Sequence, residues 1–549
     1  MIERMWTKTC AFSTFAFFLC VMVQYKVVYA KRILFIANIP SYSHQITYRG
    51  LLLELNRQGY EIVAVTTDPI KNSSLTNYKE IDLHHFYKGF PDVKDVMPYN
   101  GIFEARSKLS FLNTEIILWN VIHILNREVF KHPEVKKLYA ANSDEHFDAV
   151  IIAQGPTASL NAFAYRFNAP LIGISSLDVF SHLRYTFGSV ILPSHDSHWE
   201  TNTLIDTNNI SFWRRLVNFL EVWTQIYYWQ NVCIPKEDAI TKKYLGEDTP
   251  HVDDITRNMS IFLVNRHPLF TYRKPEQPNL IYYHGFHITK TPPALPENVK
   301  QFLDDAKEGF IYVSLGTNVK WKDLPNKAFE AFLEVFSTLP CKVLWKFDPE
   351  QLPGKFENIL ISKWLPQQGV LAHPNIRLFF YQGGLQSTEE AFYYAVPLVG
   401  CPFIWDQEYN ARKIQKLGAG IYLQNNNITK SSIRAVIYEV LTNKRYKDQI
   451  NRLSRIYRDA PYDTLQNAVR WIEFVIRRNG TPFLRNNVCD LPWYQRYDWD
   501  IIGFLSIAAF IASVISLWVL FQLLRFYAGM SLYSRVGSSN NSYTKSKTQ

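Results

Sequence analysis

The segment that decides the fold covers residues 364–391 and reads Trp364-Leu-Pro-Gln-Gln-Gly-Val-Leu-Ala-His-Pro-Asn-Ile-Arg-Leu-Phe-Phe-Tyr-Gln-Gly-Gly-Leu-Gln-Ser-Thr-Glu-Glu-Ala391. Its apolar run at 378–381 predicts a buried strand, and the polar residues after Gly384 predict the first turn of a helix. A glycine pair between a strand and a helix leaves free backbone N–H groups at the positive end of the helix dipole, where they bind an anion. The segment therefore predicts a diphosphate seat at Gly383 and Gly384, ahead of a helix that starts with Gln386, Ser387 and Thr388.

Four side chains around this seat have the chemistry to hold the rest of a nucleotide sugar. Trp364 presents a flat ring to a planar base, and Glu390, one turn inside the helix, can accept hydrogen bonds from ribose hydroxyls. Asp406 and Gln407 follow a further strand and have the hydrogen-bonding groups for sugar hydroxyls. Three of them also have a structural interpretation: core packing for Trp364, a solvated helix face for Glu390, and a helix N-cap for Asp406.

Outward from this segment, the chain has two blocks of alternating strands and helices, which is typical of doubly wound α/β domains. The first block predicts a polar loop at 40–45, a helix through 51–55, and strands at 32–38, 62–67, 147–153 and 170–175. The second predicts a helix at 328–336 and strands at 310–315, 342–346, 359–362 and 378–381. A proline-rich linker at 273–296 separates them. Two Rossmann-like halves with a cleft between them are expected.

Residues 1–30 have the pattern of a secretory signal peptide. Arg4 and Lys8 give a basic start, residues 10–23 are apolar, and a small-residue cleavage pattern ends at Ala30. An uncleaved anchor is the alternative, although the apolar run is short for a span of ~20 residues.

The other end of the chain predicts a membrane anchor. Residues 501–524 are apolar and uncharged, and an aromatic belt at 493–499 precedes them. The tail, 525–549, carries basic residues and no acid, so the positive-inside rule puts it in the cytosol and residues 31–500 in the lumen. Lys545 and Lys547 resemble an endoplasmic-reticulum retrieval signal, with a solvated basic tail as the alternative.

Composition narrows the class of partner. The formal charge is +10, but 59 basic and 49 acidic residues are interspersed, which argues against a nucleic-acid partner. Glycan attachment would agree with a lumenal location, and the candidate sites are Asn72, Asn209, Asn258, Asn427 and Asn479. The cysteines after residue 30 have no metal-site spacing and are expected to be buried thiols, and these are Cys233, Cys341, Cys401 and Cys489. The assembly state is open, with a homo-oligomer among the alternatives.

Residues 212–229 are unusually aromatic and include Arg214 and Arg215. Three interpretations are open: the lining of an apolar acceptor pocket, contact with a membrane surface, and plain core packing.

The long segment resembles the signature of the UDP-glycosyltransferase family, which includes the UDP-glucuronosyltransferases. Its Trp-x-Pro-Gln, His-Pro, Gly-Gly and Glu-Ala elements and the later Asp-Gln pair stand at the family's spacing, and Ser314-Leu-Gly316 and Ser43-His44 extend the match. The resemblance implies an α/β GT-B fold: two Rossmann-like domains facing a cleft, plus a C-terminal transmembrane helix. The implied division is a signal peptide at 1–30, an acceptor domain at 31–285, a donor domain at 286–490, a transmembrane helix at 501–524 and a cytosolic tail at 525–549.

The resemblance also implies a role for each matching residue. The donor residues would be Trp364 and Gln367 for uracil, Ser314, Gln382, Gly384 and Ser387 for the diphosphate, Glu390 for the ribose, and Asp406 and Gln407 for the sugar. His44, in the loop after the first strand, would be the general base, since an imidazole can take the proton of an acceptor hydroxyl. The family needs no cofactor and no metal.

This chain departs from the family pattern at three places. Gln382 stands where many relatives have histidine. The acid that pairs with the base histidine is missing, because the position falls on Ala153 or Gln154; Gln154 could stand in, or Asp178 could be recruited. Arg266 is only an approximate counterpart of a phosphate-binding arginine and is left out of the site.

The expected function is inverting transfer of a hexose onto a hydroxyl of a small lipophilic acceptor, for detoxification or for pigment or hormone conjugation. UDP-glucose is favoured as donor because the signature looks like that of arthropod members, and UDP-glucuronic acid is the alternative. A second alternative is a UDP-sugar or lipophile-binding membrane protein without turnover. The expected location is the endoplasmic-reticulum membrane, single-pass type I, with the catalytic part in the lumen.

Overall fold

The computed structural model describes residues 30–96, 111–194, 199–201, 210–271, 274–348 and 352–544. The chain divides into two compact units, Met1–Arg485 and Asn486–Gln549. The predicted signal peptide except Ala30, the sequon at Asn209, and Lys545 and Lys547 lie outside the described ranges.

Seven parallel strands form the first sheet, in the order β3-β2-β1-β4-β5-β6-β7. Their bounds are β1 Arg32–Ala37, β2 Glu61–Thr66, β3 Tyr78–Asp82, β4 Ala149–Ala153, β5 Leu171–Ser175, β6 Ile261–Asn265 and β7 Leu280–Tyr283. Most are short apolar runs, because a parallel sheet with helices on both faces is buried on both sides. In β1, Leu34 and Ile36 pack into the core on one face, and Ile33 and Phe35 pack into the core on the other.

The helices of this half are α1 Tyr42–Arg57, α2 Pro91–Val96, α3 Phe111–Lys131, α4 Pro133–Tyr139, α5 Ala162–Arg166, α6 Ser181–Thr186, α7 Phe212–Tyr228, α8 Ile234–Leu245 and α9 Val252–Arg257. The predicted loop at 40–45 is wrong from Tyr42 onward, because α1 starts there. His44 therefore lies in the first turn of a helix, and its backbone N–H donates to Ser41 O (3.0 Å). Polar residues at a helix N-terminus resemble a loop when they are seen only in sequence.

Six parallel strands form the second sheet, in the order β10-β9-β8-β11-β12-β13. Their bounds are β8 Phe310–Ser314, β9 Lys342–Lys346, β10 Ile359–Ser362, β11 Ile376–Tyr381, β12 Leu398–Gly400 and β13 Gly420–Tyr422. Its helices are α10 Glu297–Asp304, α11 Asn326–Ser337, α12 Gln367–Leu371, α13 Leu385–Tyr393, α14 Gln407–Leu417, α15 Lys430–Thr442 and α16 Lys444–Arg458. The two parallel sheets confirm the predicted pair of Rossmann-like halves.

One later helix, α17 (Thr464–Arg478), returns to the first half. Its buried residues Ala468, Ile472 and Val475 pack in the same core cluster as Ile33 and Phe35 of β1. The Oγ1 hydroxyl of Thr464 donates to His284 O (3.1 Å). The last segment of the predicted 286–490 domain therefore stabilises the sheet of the other half.

The aromatic segment 212–229 falls mainly on α7, which has a buried and an exposed face. Val222 and Ile226 are buried, and Trp229 packs with Trp119 in a further core cluster. Trp213 and Tyr227 on the other face are 72% and 68% exposed. Core packing explains the first face, and membrane contact by the second stays a prediction.

The second unit contains α18 (Trp493–Arg496) and α19 (Trp499–Thr544). Within α19, residues Trp499–Tyr533 form a 35-residue helix with a mean hydropathy of 2.4 over its most apolar window. By length and composition this helix is able to cross a bilayer. It contains the whole predicted span, 501–524.

Candidate functional site

A cavity of about 330 Å³ lies between the two sheets; we call it the large cavity because a smaller one adjoins it. Segments that follow β8, β10, β11 and β12 form most of its wall, as expected for a ligand site at the carboxyl ends of parallel strands. The first half contributes Tyr42, Ser43, His44, Ile46 and Leu177. The predicted residues in its wall are His44, Trp364, Gln367, Gln382, Gly384, Ser387, Glu390, Asp406 and Gln407.

Trp364 lies at one end of the large cavity and is 53% exposed, so its interpretation as a core residue is wrong. The Tyr42 ring meets it edge to face at 5.0 Å between centroids. The ammonium of Lys346 lies 4.6 Å from its ring centroid and donates to Gly316 O (2.8 Å). Burial lowers the pKa of Lys346 to about 8. A flat, accessible indole ring in this position can stack on a planar group.

The N-terminus of α13 points into the large cavity through Gly384, which is the N-cap residue and provides no capping side chain. Gly383 has a φ of +91°, and a Cβ there would lie 2.5 Å from Gln407 O. Only glycine fits this turn, which brings the backbone close to any ligand. The predicted seat for the diphosphate thus lies at a helix start, where the first backbone N–H groups have no partner within the helix.

Glu390 is buried, so its interpretation as a solvated helix face is wrong. Gln367 Nε2 donates to its Oε2 (2.6 Å), and Gln368 Nε2 donates to its Oε1 (3.2 Å). Burial raises the pKa of Glu390 to about 7. Each carboxyl oxygen keeps acceptor capacity for a ligand hydroxyl, because an oxygen of this kind accepts more than one hydrogen bond.

Asp406 and Gln407 also line the large cavity. Asn410 Nδ2 donates to Asp406 Oδ2 (2.7 Å), and burial raises the pKa of Asp406 to about 6. Asp406 occupies the N-cap position of α14 without a side-chain capping bond. Gln407 Oε1 accepts from the backbone N–H groups of Phe403 (2.9 Å) and Ile404 (3.0 Å). These bonds fix the amide of Gln407, with its NH₂ group available as a donor.

Ser314 does not line the large cavity. It is buried at the end of β8, where its Oγ accepts from Gly316 N–H (3.3 Å). The wall at this place consists of Gly316, Thr317 and Asn318. Sequence reasoning missed Thr317, Asn318 and Lys346, although their position just after or at the end of a strand was the available signal.

His44 forms a hydrogen bond between its Nδ1 and the Oγ of Ser176, the residue after β5. Burial lowers the pKa of His44 to about 4. Gln154 shares a cavity wall with His44, but its Nε2 donates to Asn161 Oδ1 (2.7 Å). Asp178 forms an ion pair with Arg184 (3.1 Å), and Arg266 pairs with Glu276. Across the described residues, Gln154, Asp178 and Arg266 form no hydrogen bond to His44. The stand-in role of Gln154 stays a prediction.

A small cavity of about 50 Å³ adjoins His44 on the side of the first sheet. Its wall is mostly apolar and includes Ile39, Leu118, Trp119, Ile122, Phe180 and Trp199, with Glu115, Gln45 and Gln154 as polar members. His44, Leu177 and Trp405 line both cavities. The imidazole therefore lies where the large cavity and the small cavity meet.

Within the described ranges, no three His, Cys, Asp or Glu side chains are grouped so that they could hold a metal ion. The four cysteines predicted as buried thiols are all buried.

Known proteins resemble this chain over most of its length. A family model described as UDP-glucoronosyl and UDP-glucosyl transferase matches residues 32–531. The UDP-glycosyltransferase UGT5 of Dactylopius coccus is 32% identical over 89% of this chain and 92% of its own length. UDP-glucosyltransferase 2 of the same insect is 30% identical, covering 86% of this chain and 90% of its own.

More distant relatives include a mammalian protein. UDP-glucuronosyltransferase 2C1 of Oryctolagus cuniculus is 27% identical over 85% of this chain and 94% of its own. Among solved structures, the calicheamicin glycosyltransferase CalG4 superposes with a TM-score of 0.53 at 18% identity, over 82% of this chain and 99% of that one. At this identity the likeness shows the fold, which is GT-B.

Proposed function

The chain belongs to the UDP-glycosyltransferase family, and on this premise we propose that it transfers glucose from UDP-glucose, with inversion, onto a hydroxyl of a small lipophilic acceptor. That it is a UDP-sugar-dependent glycosyltransferase follows from the family; the sugar, the acceptor and the residue roles belong to the proposal.

The observation that carries the proposal is the position of His44 at the junction of the two cavities. The large cavity has the volume, the helix N-terminus and the hydrogen-bonding groups for a nucleotide sugar. The small cavity has apolar walls that suit a lipophilic acceptor. A base between them reaches the acceptor hydroxyl and the sugar at the same time.

The reaction needs one displacement. The acceptor O–H gives its proton to His44, the acceptor oxygen forms a bond to the anomeric carbon, and the bond from that carbon to the phosphate oxygen breaks. The electron pair leaves with UDP, whose charge the N–H groups of α13 near Gly384 and Ser387 stabilise. Trp364 and Gln367 hold the uracil, Glu390 the ribose, and Asp406 and Gln407 the sugar.

Charge at the sugar end of the large cavity favours glucose over glucuronic acid. Asp406 lines the wall next to Gln407, and a carboxylate there repels a sugar carboxylate. Lys346, the lysine in the described wall, lies over the Trp364 ring, which the proposal assigns to the uracil. The 30% identity to an insect UDP-glucosyltransferase supports the same choice.

In this proposal residues 31–285 choose the acceptor and residues 286–490 bind the donor. The chain is a single-pass type I protein of the endoplasmic reticulum, anchored by 501–524, with the cavities in the lumen. The apolar helix α19 supports the anchor.

Three candidate glycosylation sites, Asn72, Asn258 and Asn479, have exposed side chains. If they carry glycans, an endoglycosidase should increase the gel mobility of the expressed protein.

The test uses the full chain in permeabilised microsomes, with UDP-glucose or UDP-glucuronic acid and a panel of phenols and steroids. Acceptor-dependent UDP release and a glycoside product are expected with UDP-glucose, and both are expected to disappear in His44→Ala. His146→Ala is the matched control, because that imidazole is exposed and lines neither cavity.

Each result decides between the candidates. Product from UDP-glucuronic acid alone would replace glucose by glucuronic acid. UDP-sugar binding without turnover across the whole panel would instead support a binding protein.

A further inference from the structure

The partner of the base histidine is a neutral hydroxyl. His44 Nδ1 and Ser176 Oγ form a hydrogen bond, and Ser176 is buried at 3% exposure at the carboxyl end of β5. The position from which an acid was expected, at Ala153 or Gln154 after β4, provides no such bond, because the Gln154 amide donates to Asn161. The bond to Ser176 leaves His44 Nε2 as the ring nitrogen available to an acceptor.

Ser176 is held by hydrogen bonds of its backbone, and its hydroxyl, bonded to His44, is also within hydrogen-bonding reach of Tyr48. Its N–H donates to the Tyr48 hydroxyl (3.2 Å). Its carbonyl accepts from Asn265 Nδ2 (3.2 Å) and from Gln386 Nε2 (3.0 Å), which belongs to α13 of the donor half. None of these bonds uses the Oγ atom, so a substitution of the side chain leaves them in place.

The remaining ionisable groups near His44 lie on both cavity walls. Glu115 and Tyr48 share the small cavity with it, and Tyr42, Tyr312, Lys346, Glu390 and Asp406 share the large one. Burial raises the pKa of Tyr48 to about 12, so this hydroxyl stays neutral. Among the hydrogen bonds of the described residues, His44 has none to a carboxylate, and burial alone accounts for its lowered pKa.

We propose that Ser176 positions His44 for catalysis, and that a base held by a neutral hydroxyl selects acceptors with acidic hydroxyls, phenols and enols, over aliphatic alcohols. This inference rests on the proposed transferase function. Nδ1–H donates to Ser176 Oγ, which fixes the tautomer with its lone pair on Nε2. As the acceptor oxygen bonds to the anomeric carbon, its proton moves to Nε2 and UDP leaves with the electron pair of the broken bond.

The selectivity follows from the charge that develops in this step. The imidazolium forms in a buried site, and in a histidine–aspartate pair the carboxylate stabilises that cation. A serine hydroxyl orients the ring and adds no charge. Proton transfer is therefore favourable only when the acceptor gives up its proton readily, which a phenol does far more than an alkanol.

The experiment compares kcat and KM of the wild type, S176A, S176T and S176D in the full chain, with substituted phenols and with aliphatic alcohols of matched size, between pH 5 and 9. S176A should lower kcat for phenols by ~10- to 100-fold with little change in KM for UDP-glucose, because orientation of the base is lost. S176T retains a hydroxyl and should recover most of the rate.

S176D should change selectivity as well as rate. Its carboxylate stabilises the imidazolium, so the alcohol-to-phenol ratio of kcat/KM should rise by ~10-fold or more and the acid limb of the pH profile should move to higher pH. If S176A does not accumulate, S176T and S176D carry the comparison, and equal selectivity in these two overturns the proposal.

The outcomes separate this inference from the proposed function. If the wild type transfers sugar to none of the acceptors, the proposed function and this inference are both wrong. An active wild type whose kcat, pH profile and selectivity are unchanged by S176A leaves the function standing and overturns the role of Ser176. A pH profile that responds to Gln154→Met and not to S176A does the same, and assigns the role to Gln154.

Discussion

The two cavities that meet at His44 are lined by different kinds of sequence segment. Most polar groups of the large cavity come from 364–368, 382–390 and 404–407, three stretches that lie close together in sequence. The small cavity collects its wall from six stretches: 37–48, 115–122, 153–156, 175–180, 199 and 405. The large cavity is thus set by local sequence, whereas the small cavity depends on how distant elements pack.

The hydrogen bonds differ in the same way. Glu390 is bonded to Gln367 and Gln368, and Asp406 to Asn410, all within one half of the molecule. His44 is bonded to Ser176, which is 132 positions away along the chain. Substitutions at the two cavities should therefore produce different kinetic signatures.

The largest effect is expected for His44→Ala. Loss of a general base should reduce kcat with a phenol acceptor by ~10²- to 10⁴-fold, while the affinity for UDP stays close to that of the wild type. Steady-state kinetics and equilibrium UDP binding measure the two quantities. A His44→Ala variant that loses UDP affinity and keeps kcat would break the distinction between the cavities.

Trp364→Ala should give the opposite signature. Stacking of a base on an aromatic ring contributes about 1–3 kcal/mol, so KM for UDP-glucose should rise by about tenfold or more with a smaller change in kcat. Phe at this position keeps a flat ring and should restore part of the affinity. An unchanged KM in Trp364→Ala would remove this residue from the donor site.

Gly383→Ala and Gly155→Ala compare a glycine of the turn next to the large cavity with a glycine in the wall of the small cavity. Gly383 has positive φ and no room for a Cβ, whereas the nearest atom to a Cβ at Gly155 lies at 3.7 Å. Alanine at 383 should lower the free energy of unfolding by about 2 kcal/mol, and alanine at 155 should change it little. Thermal unfolding of the detergent-solubilised protein measures both, and equal losses would contradict the packing described for Gly383.

The smallest effect is a pH dependence of stability, which has opposite signs for Glu390 and His44. Burial raises the pKa of Glu390 from 4.5 to about 7, so the folded protein holds more protons than the unfolded chain between these values, and this group makes stability fall as pH rises. Burial lowers the pKa of His44 from 6.5 to about 4, so this group makes stability rise with pH between about 4 and 6.5.

Relative to the wild type, the Tm of Glu390→Gln should therefore increase as pH rises from 4.5 to 7. The Tm of His44→Gln relative to the wild type should decrease over pH 4 to 6.5. Glu330→Gln is the control, because this carboxylate is exposed and lines neither cavity. Parallel curves for all three variants would contradict the buried environments of Glu390 and His44.

Much of the fold was predictable because its signals are local. The strands at 342–346 and 359–362 were predicted at their observed bounds, since a buried parallel strand is a short apolar run between turn residues. The loop at 40–45 was partly wrong, because Ser41 and the polar residues after it carry no apolar period that marks a helix. The packing of α17 on the first sheet has no signal in the chain order.

The candidate site divides in the same way. The sequence by itself determined that Trp364, Gly384, Glu390 and Asp406 belong to one site. They lie in one stretch of the chain, where the strand, the glycine turn and the helix that position them follow one another directly. Only the tertiary structure decided that Ser176 is the partner of His44, that Ser314 lies beneath the cavity wall, and that Lys346 covers Trp364. Neighbouring parallel strands bring their carboxyl ends to one edge of a sheet whatever their distance in sequence, so which side chains meet there depends on strand order and register.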